Sequence, residues 1–88
     1  MIELISSKVK NTIFNFEFLI KEEKFFTVEI IKDESLSKKY DITLNKDFNN
    51  IFKLKFDVKE FVEDIKGTYN FNLIVQNDKT NIYNFKIS

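Results

Sequence analysis

The chain contains no cysteine, histidine, arginine, tryptophan, proline or alanine, and only one glycine. Each absence removes a class of chemistry. Without cysteine there is neither a disulfide framework nor a thiolate metal site. Without histidine as well, the commonest general base, the thiol nucleophile and the preferred zinc ligands are all missing. Without arginine, the side chain best suited to bidentate recognition of phosphate or guanine is missing. A single glycine cannot build a glycine-rich phosphate loop. An excess of one charge is lacking too: 14 lysines balance 14 acids, so no net field steers a nucleic acid or an anionic membrane. No apolar run approaches the ~18 residues of a membrane-spanning helix. The opening "MIELISSKVK" has no basic segment leading into an apolar one, so a secretory signal is not expected. These features predict no cofactor, no catalysis, no nucleic-acid binding and no membrane insertion. They also predict a cytoplasmic setting for a complete chain, or a surface or envelope setting for a module of a longer one.

What is present is aromatic. Eleven phenylalanines and three tyrosines stand in 88 residues, enough for one domain spanning 1–88 and one core. Each buried ring removes roughly 150 Å² or more from water, so a handful of them outweighs any surface ion pair. The wealth of Asn, Lys, Ile and Phe follows AT-rich codons and points to a low-GC bacterium or its phage.

The apolar residues recur with a period of two, the signature of strands. Phe14, Phe16, Phe18 and Ile20 alternate with Asn15, Glu17 and Leu19. Phe26, Val28 and Ile30 repeat the pattern, as do Tyr40, Ile42 and Leu44, then Phe52, Leu54, Phe56 and Val58. Tyr69, Phe71, Leu73 and Val75 form a fifth run, and Tyr83, Phe85 and Ile87 a sixth. A weaker first strand lies near Ile2 and Leu4. Turns are expected at "KEEK" (21–24), "DESLSKK" (33–39), "NKDFNN" (45–50) and "NDK" (77–79). In "KEFVEDIK", Phe61 and Ile65 stand four apart, as on a helical turn. Short strands at this spacing, each with one apolar face, predict an all-β, two-sheet antiparallel sandwich of about seven strands.

The segment "DIKGTYNFNLIVQND" adds detail. Asp64, Gly67 and Tyr69, leading into the penultimate strand, resemble the tyrosine corner of immunoglobulin-like domains. The run "GTYNFNLIVQNDKTNIYNFKI" looks like the final hairpin of a bacterial immunoglobulin-like module. The resemblance implies an Ig-like sandwich in which the tyrosine hydroxyl bonds to backbone at the corner and the glycine adopts a φ that other residues resist. It covers about a quarter of the chain. The acid stands five residues before the tyrosine rather than four, and the cysteine pair and core tryptophan of antibody domains are absent.

Candidate sites are few. The serines at 6, 7, 35, 37 and 88 lie in no nucleophile elbow, and the paired acids Asp33–Glu34 and Glu63–Asp64 read as charged turns. Asp33, Glu34, Asp47 and Asp78 would hold calcium only if they converged at one end of the sandwich. Phe25 and Phe48 fall off the inward register. Phe48, among amides in a loop, is expected to plug the end of the sandwich, with a sugar contact as the alternative. Ile13, Leu19, Ile31 and Ile74 interrupt otherwise polar outward faces, and such residues mark a contact surface where they cluster. The expected function is therefore a non-catalytic binding module acting on another protein, as an interaction or spacer domain of a bacterial surface or envelope-associated protein. A stand-alone phage or bacterial protein that modulates one partner, and a carbohydrate-binding module, are the alternatives. Self-association through an outward apolar face is also open.

Overall fold

The computed structural model describes all residues, 1–88, as seven strands and one short helical turn. The strands are β1 (Ile2–Lys10), β2 (Ile13–Ile20), β3 (Phe25–Lys32), β4 (Ser35–Thr43), β5 (Asn50–Asp57), β6 (Gly67–Val75) and β7 (Asp78–Ile87). They form two antiparallel sheets, ordered β1-β2-β5 and β4-β3-β6-β7. The sheets face each other and the alternating residues meet between them. Phe14, Phe16, Phe18 and Ile20 of β2 are fully buried, opposite Val28, Ile30, Tyr69 and Phe71 of β3 and β6. Ring contacts span the layers: Phe14 to Phe71 at 5.1 Å, Phe16 to Phe71 edge-on at 5.1 Å, and Phe18 to Phe26 at 5.4 Å. The predicted two-sheet, seven-strand architecture is the one observed.

The body measures 40 × 25 × 18 Å. Its two ends differ. One, the Phe25 end, carries the β2–β3, β4–β5 and β6–β7 connections and the start of β1. The other, the Gly67 end, carries the β1–β2 and β3–β4 turns, the helical turn and the finish of β7.

The hydroxyl-to-backbone bond expected at Tyr69 forms. The Tyr69 ring has no exposure, and its hydroxyl donates to the Ile65 carbonyl at 2.6 Å. Asp64 accepts from the Lys66 N–H at 3.1 Å, turning the chain into β6. Gly67 has φ +152°, and a Cβ there would meet the Asp33 carboxylate at 2.5 Å. The reason lies in the β3–β4 turn. Asp33 accepts from the Thr68 N–H and donates its own N–H to the Thr68 carbonyl, both at 2.9 Å, latching that turn onto β6. The glycine makes room for the latch.

Several boundaries differ from the sequence reading. β1 runs on to Lys10, and a register shift between Leu4 and Ser6 breaks its alternation at Ile5, so a period of two shows only its first residues. The segment read as a turn over 33–39 is two residues of turn, Asp33 and Glu34 (φ +49° and +69°), followed by strand β4. β4 is an edge strand whose Ser35, Leu36, Lys38, Lys39 and Asp41 are exposed, so polarity disguised it. The last hairpin turns at Gln76–Asn77 (φ +50° and +71°), one residue earlier than "NDK". The helical turn begins at buried Val58 and covers Val58–Glu60, capped by Asp57, which accepts from the Lys59 N–H. Phe61 and Ile65 follow it and pack against the core.

Candidate interaction surface

Polar chemistry gathers on the outer face of the four-stranded sheet. Glu29, at the centre of that face, is only 5% exposed. Lys79 of β7 approaches it at 3.0 Å, Lys39 of β4 at 3.9 Å, and the Asn72 amide of β6 donates to it at 3.2 Å. Burial pushes the Glu29 pKa up, but the Asn72 hydrogen bond and the two ammonium groups outweigh it and hold the carboxyl below the usual glutamate value. One carboxylate thus ties all four strands together. Asn81 extends the network, donating to Asn72 at 3.2 Å and Asn84 at 3.0 Å. Thr27 donates to Asp41 at 2.7 Å. The groups satisfy one another, so this face is a cross-strand lattice and not an open site.

The Phe25 end is different. Phe25, the first residue of β3, is 62% exposed, the most open of the large apolar side chains. Three connections meet around it. The Glu22 N–H donates to the Asn49 side chain at 3.2 Å, joining the β2–β3 turn to the β4–β5 loop. The Gln76 amide donates to Glu23 at 3.4 Å, joining it to the β6–β7 turn. Phe25 borders a cleft of about 240 Å³ whose other walls are Glu22, Glu23, Lys24 and Gln76. Glu23 and Gln76 also rim a second cleft, of about 360 Å³, whose floor includes Ile2, Leu73 and Val75. Met1 and Ile51, 52% and 41% exposed, lie toward the same end. An aromatic anchor, an apolar floor and a charged rim are thus held by loops that brace one another.

The four outward apolar residues do not form one patch. Ile13 and Leu19 occupy opposite ends of the outer face of β2, while Ile31 and Ile74 lie on the other sheet, and all four are half-buried. Each has a different neighbourhood. Leu19 stands directly between Ile51 of β5 and Glu3 of β1, in the half of the molecule nearer Phe25. Ile74 pairs with Thr27, the next outward residue after Phe25 on β3. Ile31 pairs with exposed Leu36 near the Gly67 end, and Ile13 lines a cleft of about 310 Å³ with Lys55, Asp57 and Glu60. Phe48, in the β4–β5 loop at the Phe25 end, is half-buried and packs against the core. The four loop acids do not converge: Asp33 and Glu34 turn at the Gly67 end, Asp47 and Asp78 at the Phe25 end, and no cluster of three or more potential metal ligands exists. No helix is long and apolar enough to cross a membrane. Sequence reasoning marked Phe25 as off-register but did not make it a site. Its signal was the doubled "FF" after a charged turn, where only one ring can face inward.

Comparison with protein-family models, curated proteins and solved structures gives no significant match for this chain.

Proposed function

We propose that this chain is a non-catalytic, immunoglobulin-like module that works by protein–protein contact through its Phe25 end. The observation that carries the reading is the exposed Phe25 ring beside two adjoining clefts, where three cross-braced connections meet. Interfaces concentrate their binding in aromatic anchors surrounded by a polar rim, and this end supplies both. The Ig-like assignment is supported by the Tyr69–Ile65 corner on the penultimate strand. Strand order supports it too: β1-β2-β5 faces β3-β6-β7 as in constant-type immunoglobulin sandwiches, with β4 paired to β3 instead of β5. The setting we propose is a bacterial surface or envelope-associated protein.

The test is comparative capture. Immobilised wild-type protein, Phe25→Asp and Leu36→Asp are offered cytoplasmic and envelope extracts and purified cell-wall polysaccharide from a low-GC bacterium. The reading expects a protein retained by wild type and by Leu36→Asp but lost with Phe25→Asp. Retention of polysaccharide alone, or equal retention of the protein by both variants, would overturn it.

A further inference from the structure

The sandwich has four edge strands, and three are interrupted. β1 carries a register shift at Ile5, β4 one at Ser37 and β7 one at Ile82. β5 alone pairs without a break, eight residues against eight of β2. Bulges on edges prevent uncontrolled strand addition, because they twist the unpaired backbone groups out of line. The β5 edge lacks that protection.

Its free groups can be assigned. The Ile51 N–H is taken by the Asn50 side chain at 2.8 Å, and the Val58 N–H goes to the Thr12 carbonyl at 3.0 Å. In an antiparallel ladder the N–H and C=O of one residue point the same way, alternating along the strand. Even-numbered residues of β5 therefore face β2, and the backbone groups of Lys53 and Lys55 face outward. The same two residues place their side chains on the outer face, opposite Glu17 and Asn15, and neither ammonium lies within 4 Å of a carboxylate.

A second observation concerns the layers. Three strands face four. β4 lies across from β5, with Tyr40 5.5 Å from Phe56, and the inward residues of this seam, Tyr40, Ile42, Phe52 and Leu54, are only half-buried. A fourth strand beside β5 would complete the layer and cover them.

We propose that the β5 edge accepts an extended segment of another protein as an antiparallel fourth strand, with acidic residues opposite Lys53 and Lys55 and apolar residues between them. The charges choose the occupant. A second copy of β5 is disfavoured, because the two antiparallel in-face registers of greatest overlap set lysine against lysine, Lys53 against Lys55 in one and Lys53 against itself in the other. An acidic strand forms two cross-strand ion pairs, makes main-chain bonds to both lysine residues and closes the seam with its alternate side chains. This surface is separate from the Phe25 end, so each reading can fail without the other.

The test uses two peptides, acetyl-Thr-Val-Glu-Val-Glu-Val-Thr-amide and its counterpart with lysine in place of glutamate. They are titrated into isotopically labelled full-length protein at low salt. The proposal expects saturable shifts and slowed hydrogen exchange at the Lys53 and Lys55 amides, with the glutamate peptide binding roughly tenfold more tightly. The preference should shrink as salt rises. K53E combined with K55E should invert it. Lys55→Pro, which removes an N–H that β2 does not use, should abolish binding while the dispersion of the β2 amides is kept. Equal binding of the two peptides, shifts centred on another edge, or no saturation at millimolar peptide would each overturn the proposal.

Discussion

Removing one oxygen from Tyr69 tests the corner on which the Ig-like reading rests. Tyr69→Phe keeps the ring, which is fully buried and stacks at 6.4 Å on Phe71, and deletes only the hydroxyl that donates to Ile65 at 2.6 Å. A net hydrogen bond contributes about 1 kcal/mol, and leaving the Ile65 carbonyl without its partner raises the expected cost to about 1–2 kcal/mol. With a urea slope near 1–1.5 kcal/mol/M for so small a domain, the midpoint should fall by roughly 1 M. Tyr83→Phe is the control, because the Tyr83 hydroxyl makes no such bond within the chain, and its midpoint should hardly move. Alkaline pH supplies an independent readout. Burial, then the nearby Asp33 and Asp64 charges, push the Tyr69 pKa above the ordinary tyrosine value. The unfolded chain therefore releases this proton first, near pH 10. The associated stability is complete below that pH and is lost as pH rises through the folded pKa. Wild type should lose stability more steeply than Tyr69→Phe above pH 10. An unchanged urea midpoint, or identical alkaline slopes, would refute the corner.

Other predictions address the latch and the lattice. Gly67→Ala should destabilise by about 2–4 kcal/mol in urea unfolding, from backbone strain at positive φ and the clash with the Asp33 carboxylate. Adding Asp33→Ala should reduce the extra cost of the alanine, since only the backbone part remains, and full additivity would contradict the close approach. Glu29→Gln should cost about 1 kcal/mol near neutral pH, the two lysines being half-exposed and the pairs screened. Because the Glu29 pKa is depressed in the fold, its contribution is present above the unfolded glutamate pKa and disappears as pH falls through the folded one. Acid titration of wild type and variant should therefore converge only once the pH has fallen through the folded pKa, beneath the ordinary glutamate range, and parallel curves would show that the carboxylate is not held by its lysines.

Much of the fold was legible because burial writes a period of two. Phe14, Phe16, Phe18 and Ile20 are all fully buried, and Tyr69 with Phe71 matches them from the other layer. Where that period failed, the cause was physical. The bulge at Ile5 shifted the first strand out of phase, and β4, an exposed edge, carries little apolar pattern to read. Two hairpins turn on Asp33–Glu34 and Gln76–Asn77, pairs without the glycine that usually announces a left-handed turn. The surface was less legible still. Glu29 reads as an ordinary outward acid, since the lysines that cover it stand 10 and 50 residues away in sequence. The isoleucines and Leu19 were visible as exceptions, but which sheet each belonged to depended on a strand order that no single strand encodes.

Contact through the Phe25 end is read directly by a hydrogen-exchange footprint of the protein with its captured partner against the protein alone. Exchange should slow over 21–26, 45–50 and 74–78, the segments that meet around Phe25, and stay unchanged at the Gly67 end. Protection confined to the Gly67 end, around 33–36 and 59–68, would contradict it.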